Sequence, residues 1–166
     1  TYLKMLEDAQ AAANGVLASA QADNKYSGEY LNTFQGVIDD YADFTHTAPS
    51  AYVDATNTIK DATTAMSTRM TTVDKFYSEY QAAINKEAVY TDSVGYNQLV
   101  AYTALVAKIA EYDGLDVTVK NNDELTAITA EVTAATKAMT DRCTAIDNFN
   151  KALADALNVL ENQTEY

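Results

Sequence analysis

The chain has 166 residues, of which 48% are hydrophobic, and its formal net charge of −13 gives a pI near 4.2. A surface this acidic argues against binding to nucleic acid and to anionic membrane surfaces, both of which require basic side chains. One cysteine excludes an internal disulfide framework and a multi-cysteine zinc site, and the sequence contains no apolar run long enough for a transmembrane helix.

Two helices are predicted in the first quarter of the chain. The first is expected over about residues 2–20, on an apolar stripe at helical spacing made by Leu3, Leu6, Ala13, Leu17 and Ala20. A polar turn follows, in which Ser27 is the predicted N-cap, with Tyr26 and Leu31 as a hydrophobic staple. The second helix is expected over about residues 28–41, with Phe34 and Ile38 facing inward.

A connection over residues 43–50 leads into a much longer helix. Pro49 suits a first helical turn, and the single His46, with no second histidine or cysteine nearby, is expected to be exposed rather than catalytic. No proline or glycine interrupts Ala51–Ile84, so one helix of about 35 residues, roughly 50 Å long, is predicted. Its apolar stripe is Tyr52, Ala55, Ile59, Ala62, Met66, Met70, Val73, Tyr77, Tyr80 and Ile84.

A fourth helix and a structured connection are predicted next. The helix is expected over about residues 94–112 and is stopped by Asp113-Gly114. Residues 115–119 alternate in polarity but have no partner strand, so an extended loop is expected. Asn121 and Glu124 then have the spacing of a capping box, which predicts the start of a second long helix that runs to about Leu160. The inward residues of the fourth helix are Leu99, Tyr102, Leu105, Val106 and Ile109.

The two long helices are related by an internal repeat. Glu124–Leu157 aligns without a gap on Ala51–Ile84 when the sequence is shifted by 73 positions. Cys143 falls on the stripe position of Met70 and is therefore expected in the core rather than as a reactive thiol. The identical pairs are Thr56/Thr129, Ala62/Ala135, Thr63/Thr136, Ala65/Ala138, Met66/Met139, Arg69/Arg142, Thr71/Thr144, Asp74/Asp147, Phe76/Phe149 and Ala83/Ala156.

The order of these features resembles the FIVAR-type three-helix modules of bacterial surface proteins. The run from Lys25 to Leu31 is similar to that family's Lys-Tyr-Thr…Trp…Leu start of the second helix, with Tyr30 and Tyr96 in place of tryptophan. The run from Tyr52 to Ala65 is similar to the start of its third helix. The resemblance implies a spacer or attachment module that accompanies carbohydrate-acting or adhesive domains, and in which the third helix of one module continues as the first of the next.

The predicted fold is therefore all-α, with two tandem three-helix bundles that share long continuous helices and form an elongated molecule. The expected divisions are residues 1–69 for the first unit, 70–142 for the second, and 143–166 for the continuation of the last helix and a polar tail. Arg69 and Arg142, at the ends of the two third helices, are expected to be structural. The predicted partners are Glu29 or Asp23 for Arg69, and Asp92 for Arg142.

The last part of the second long helix carries an apolar stripe that the two predicted bundles do not cover. Exposed stripes of this length mark interfaces. We therefore expect either a continuing module of a parent protein or a homodimer of this chain to pack there, with folding back onto the first bundle as a third alternative. The stripe is Ile146, Phe149, Leu153, Leu157 and Leu160.

No group of residues has the pattern of a catalytic site, and no catalytic residue, cofactor or resident metal is predicted. Asp39-Asp40 lies at a helix end, where a carboxylate pair for acid–base catalysis is disfavoured. The acidic loop over 113–124 offers oxygen ligands for Ca²⁺ but lacks EF-hand spacing. The twelve tyrosines suggest glycan stacking, yet several occupy core positions.

The expected function is a non-catalytic helical spacer or attachment module of a secreted or surface-anchored bacterial protein, with the periplasm as an alternative location. Its expected partners are neighbouring domains of a parent protein and a glycan or protein ligand, without nucleic acid and without membrane insertion. A helical ligand-binding domain with a pocket between helices is the alternative, and an enzyme is a third class. Because the chain begins at Thr1, a signal peptide, a lipid anchor and further domains stay open.

Overall fold

The computed structural model describes residues 1–163, and within this range the chain is all-helical, with 82% helix and no strand. The all-α fold class is thereby confirmed. No helix in the described range is long and apolar enough to span a membrane. The elements are α1 (Tyr2–Gln21), α2 (Glu29–Asp40), α3 (Pro49–Tyr90), α4 (Val100–Glu111) and α5 (Asn122–Gln163), with short 3₁₀ turns at Asn24–Tyr26 and Val117–Val119.

The chain divides into two compact units. Unit 1 comprises Thr1–Tyr77 and Leu115–Ala127, and unit 2 comprises Ser78–Gly114 and the chain from Ile128 onward. The core of unit 1 is built mainly from α1, α2 and the first part of α3. Its buried apolar residues include Leu6, Ala13, Leu17, Phe34, Ile38, Ile59, Met66, Val73 and Phe76, and those of unit 2 include Ala83, Leu105, Val132, Met139 and Cys143.

The two long helices begin where the sequence predicts and extend further than expected. Each contains 42 residues, and their first residues, Pro49 and Asn122, are separated by the same 73 positions that relate the repeats. The capping box before α5 is formed: the Glu124 N–H donates to Asn121 Oδ1 at 2.8 Å, and the Asn121 N–H donates to Glu124 Oε2 at 2.9 Å. Two otherwise unsatisfied N–H groups at the helix start are thus paired.

The starts of α2 and α4 differ from prediction because glycines with positive φ intervene. Gly28, not Ser27, is the N-cap of α2, with φ 107° and ψ −161°. A Cβ atom at this position would lie 3.1 Å from the Thr118 carbonyl oxygen, so a larger residue would strain the backbone and force Thr118 to shift by a few tenths of an ångström. The α4 helix begins at Val100 rather than residue 94, because Gly95 has φ 92° and the Ser93 carbonyl accepts turn hydrogen bonds from Tyr96 and Asn97.

Some predicted stripe residues lie outside the core. Tyr77 is 39% exposed, while its neighbour Phe76 is 2% exposed and takes the core position. Both lie within one helical turn of Val73, so the spacing of apolar residues admits either one, and packing selects Phe76. Leu3 and Val106, also predicted to face inward, are exposed.

Candidate functional site

The most distinctive polar group of unit 1 is the buried Arg69 side chain on α3, which is 2% exposed. Its Nη2 donates to the Val117 carbonyl oxygen at 2.6 Å, and its Nη1 donates to Asn122 Oδ1 at 3.1 Å. The guanidinium also lies over the ring of Tyr30, 4.6 Å from the centroid. Three elements that are distant in sequence therefore meet at one cation, and we call this group the Arg69 site.

The Arg69 site holds a cation with neutral partners. The predicted acidic partners are not the ones observed, since Asp23 instead pairs with Lys25 at 3.0 Å. Burial lowers the pKa of Arg69, because removing the guanidinium from water disfavours its charged form. An arginine stays protonated in proteins even so, and the carbonyl, amide and ring quadrupole compensate for the lost hydration.

Residues Leu115–Ala127, which we call the cover segment, are shaped by their own hydrogen bonds. Asp116 Oδ1 accepts from the Thr118 N–H at 3.0 Å and from its hydroxyl at 2.6 Å, which holds the 3₁₀ turn and lowers the pKa of Asp116. Val117 is buried, and its carbonyl faces Arg69. Thr118 contacts the position where Gly28 lacks a side chain. The cover segment thus presents two oxygen acceptors in fixed positions.

The acidic loop considered for Ca²⁺ is used for these internal contacts. The Asp116 oxygen accepts from Thr118, that of Asn122 accepts from Arg69, and that of Asn121 caps α5. Among residues 1–163, no group of three or more histidine, cysteine, aspartate or glutamate side chains is placed to hold a metal ion.

Arg142, the repeat counterpart of Arg69, lies on α5 and is exposed. The predicted pairing with Asp92 is not among the ion pairs found in the described part of the chain, and Asp92 is itself exposed. The two arginines therefore occupy the same position of the repeat but differ in surroundings. The structural role of Arg142 stays a prediction.

A tyrosine–aspartate hydrogen bond recurs in both units. The Tyr26 hydroxyl donates to Asp74, which also pairs with Lys25 at 3.1 Å, and the Tyr96 hydroxyl donates to Asp147 at 2.5 Å. The bond to Asp147 raises the pKa of Tyr96 to about 12. Sequence reasoning missed these pairs, although the signal was present: the aspartates are identical in the repeat, and each tyrosine lies just before the start of a helix.

Two further predictions about α5 can be placed in unit 2. Cys143 is buried, as expected, and its thiol beside the Tyr90 hydroxyl raises the pKa of Tyr90. The terminal apolar stripe is largely exposed. Ile146 is partly buried, while the other four members are 48–66% exposed: Phe149, Leu153, Leu157 and Leu160.

Unit 1 also contains an open cavity of about 510 Å³ between α2, α3 and the cover segment. Apolar side chains such as Phe34 and Met66 line part of it. Glu29, Lys120 and Glu124 add charged groups to the lining. A small ligand in this cavity could contact apolar and charged groups together.

No protein-family model, curated protein or solved structure matches this chain.

Proposed function

We propose that the chain is a non-catalytic helical spacer or attachment module of a secreted or surface-anchored bacterial protein. It consists of two tandem three-helix units of the FIVAR-like type, which share long continuous helices in an elongated molecule. Its partners are the neighbouring domains of a parent protein and a glycan or protein at the cell surface, with the periplasm as the alternative location.

The Arg69 site is the observation that supports this proposal most. The buried polar chemistry of unit 1 is used to fix the cover segment, which leads directly into the next long helix. We infer that this buried cation, with its hydrogen bonds to the cover segment, specifies one arrangement of the chain there. A spacer requires a fixed connection between successive helices. The Arg69 site is suited to provide such a connection.

Solution scattering tests the spacer proposal directly. A compact globule of this length has a radius of gyration of about 15 Å. We expect a clearly larger value, because two units joined by shared 42-residue helices extend the chain. A value near that of the globule would contradict the proposal.

The cavity of unit 1 supports a second candidate, a helical ligand-binding domain. Its mixture of apolar and charged lining suits a small ligand with an apolar body. Titration of short oligosaccharides and small organic cations into ¹⁵N-labelled protein should then shift the resonances of residues such as Thr33 and Met66. Thr33→Trp, which fills the cavity, should abolish those shifts. Shifts that persist in this variant would show that the ligand binds elsewhere. The absence of any shift in the original chain would exclude the cavity as a binding site for these ligands.

A further inference from the structure

We propose that the exposed face of α5 from Arg142 to Leu160 is a docking surface for a further repeat unit of the same kind. The occupant is a stretch with the chemistry of Val100–Ala127, which is an α4-like helix followed by a cover segment. This inference rests on the proposed spacer function, since it assumes that such units follow one another.

The first argument comes from what covers the equivalent face of α3. Arg69 is covered by the Val117 carbonyl and Asn122 of the cover segment, within unit 1. Further along α3, within unit 2, the Tyr80 hydroxyl donates to the Ile109 carbonyl at 2.9 Å. One contiguous stretch of chain, from α4 to the start of α5, therefore contacts α3 at both Arg69 and Tyr80.

The second argument comes from the side chains that α5 carries at the same positions. Arg142 corresponds to Arg69 under the 73-residue shift that relates the two repeats. Leu153 and Leu160 correspond to Tyr80 and Glu87, two residues of α3 that hydrogen-bond residues of α4. On α5 both positions are leucines, and the exposed fraction is 48% for Leu153 and 59% for Leu160. An α4-like helix placed there would bury them, and a cover segment would supply acceptors to Arg142.

A second copy of this chain does not supply the same occupant. Its own Val100–Ala127 stretch is already engaged by its own Arg69 and Tyr80. Releasing the stretch would break both hydrogen bonds of that Arg69 and expose the buried side chains of Leu105 and Val117 to water, which is costly. The surface therefore fits a separate repeat unit better than a copy of the present chain.

The test is to extend the complete chain at its C-terminus with a second copy of residues 94–166, which continues the 73-residue period. The chain has two arginines, so its side-chain ¹⁵N–¹H spectra contain two sets of guanidinium Nη–H signals. The appended copy adds a third arginine, and Arg142→Lys in the original part assigns the signals of Arg142. In the extended chain we expect exchange of the Arg142 Nη–H groups with water to slow by about tenfold or more. The matched control carries Asn122→Ala and Val117→Gly in the appended copy only, and its Arg142 should exchange as fast as in the original chain.

Unchanged Arg142 exchange in the extended chain would overturn the inference, as would an appended copy that stays unfolded by circular dichroism. A second outcome would also overturn it: Arg142 is already protected in the original chain, sedimentation shows a dimer, and Phe149→Asp removes the protection. The surface would then belong to an interface with a second copy. The spacer proposal is judged separately, by the scattering radius of the original chain.

Discussion

Arg69 and Arg142 occupy the same position in two aligned helices, yet one is buried and the other exposed. The difference does not come from the helices, since the residues on either side of both arginines follow the same apolar period. It comes from the chain that follows each helix within the structure: the cover segment supplies a carbonyl and an amide to Arg69. A repeat position thus acquires its role from a segment that is distant in sequence and packs on it within the same unit, not from its own helix.

The largest expected difference between the repeats concerns Phe76 and Phe149. Phe76 is 2% exposed and Phe149 66%. Phe76→Ala should lower the free energy of unfolding by about 3–5 kcal/mol, because it leaves a cavity in a packed core. Phe149→Ala should change it by less than about 0.5 kcal/mol. Urea denaturation of both variants measures this, and equal losses would mean that Phe149 is buried in solution.

The next largest difference concerns the arginines themselves. Arg69→Ala leaves the Val117 carbonyl and the Asn122 amide without their donor, and we expect a loss of about 2–4 kcal/mol. Arg142→Ala in the same chain should leave the midpoint of thermal unfolding unchanged. If Arg69→Ala also leaves it unchanged, the Arg69 site does not stabilise unit 1.

Two glycines before helices form a smaller contrast. Gly28→Ala should lower the free energy of unfolding by about 1–3 kcal/mol, because its φ and ψ lie in a region that other residues avoid and a Cβ would press on the Thr118 carbonyl. Gly95→Ala should cost less, since its φ is also positive but the space around it is open. Denaturation midpoints of the two variants compare them, and the reverse order would contradict the contact between Gly28 and the cover segment.

The smallest effect is expected at alkaline pH. Hydrogen bonding to Asp147 raises the pKa of Tyr96 to about 12, and burial with a hydrogen bond to Glu131 raises that of Tyr112 to about 12. A raised tyrosine pKa means that the folded state holds its proton longer than the unfolded state, whose tyrosines titrate near 10. The stabilisation is present below pH 10 and is lost as the pH rises towards 12.

Stability measured between pH 9 and 12 should therefore fall more steeply in the wild type than in a Tyr96→Phe, Tyr112→Phe double variant. A Tyr2→Phe variant, at an exposed tyrosine, serves as control. Identical slopes in all three proteins would show that the two hydroxyl hydrogen bonds do not persist in solution.

Much of the fold could be predicted from the sequence, because helix period and capping chemistry are local. The extent of α1, the start of α3 at Pro49 and the capping box of Asn121 and Glu124 follow from neighbouring residues alone. The partners of Arg69 could not be predicted in this way. They are neutral groups 48 and 53 positions away, and one is a backbone carbonyl, for which no residue type is a signal. The late start of α4 depends on the φ of Gly95, which the apolar pattern does not reveal.

The central claim is that the cover segment, and not the arginine position itself, makes the Arg69 site. Side-chain ¹⁵N–¹H spectra of the original chain, read at the guanidinium Nη–H groups of its two arginines, test it most directly. We expect one slowly exchanging signal, lost in Arg69→Lys, and one rapidly exchanging signal, lost in Arg142→Lys. Asn122→Ala should accelerate only the first. Two signals with equal exchange rates, or an Arg69 signal that is insensitive to Asn122→Ala, would contradict the account.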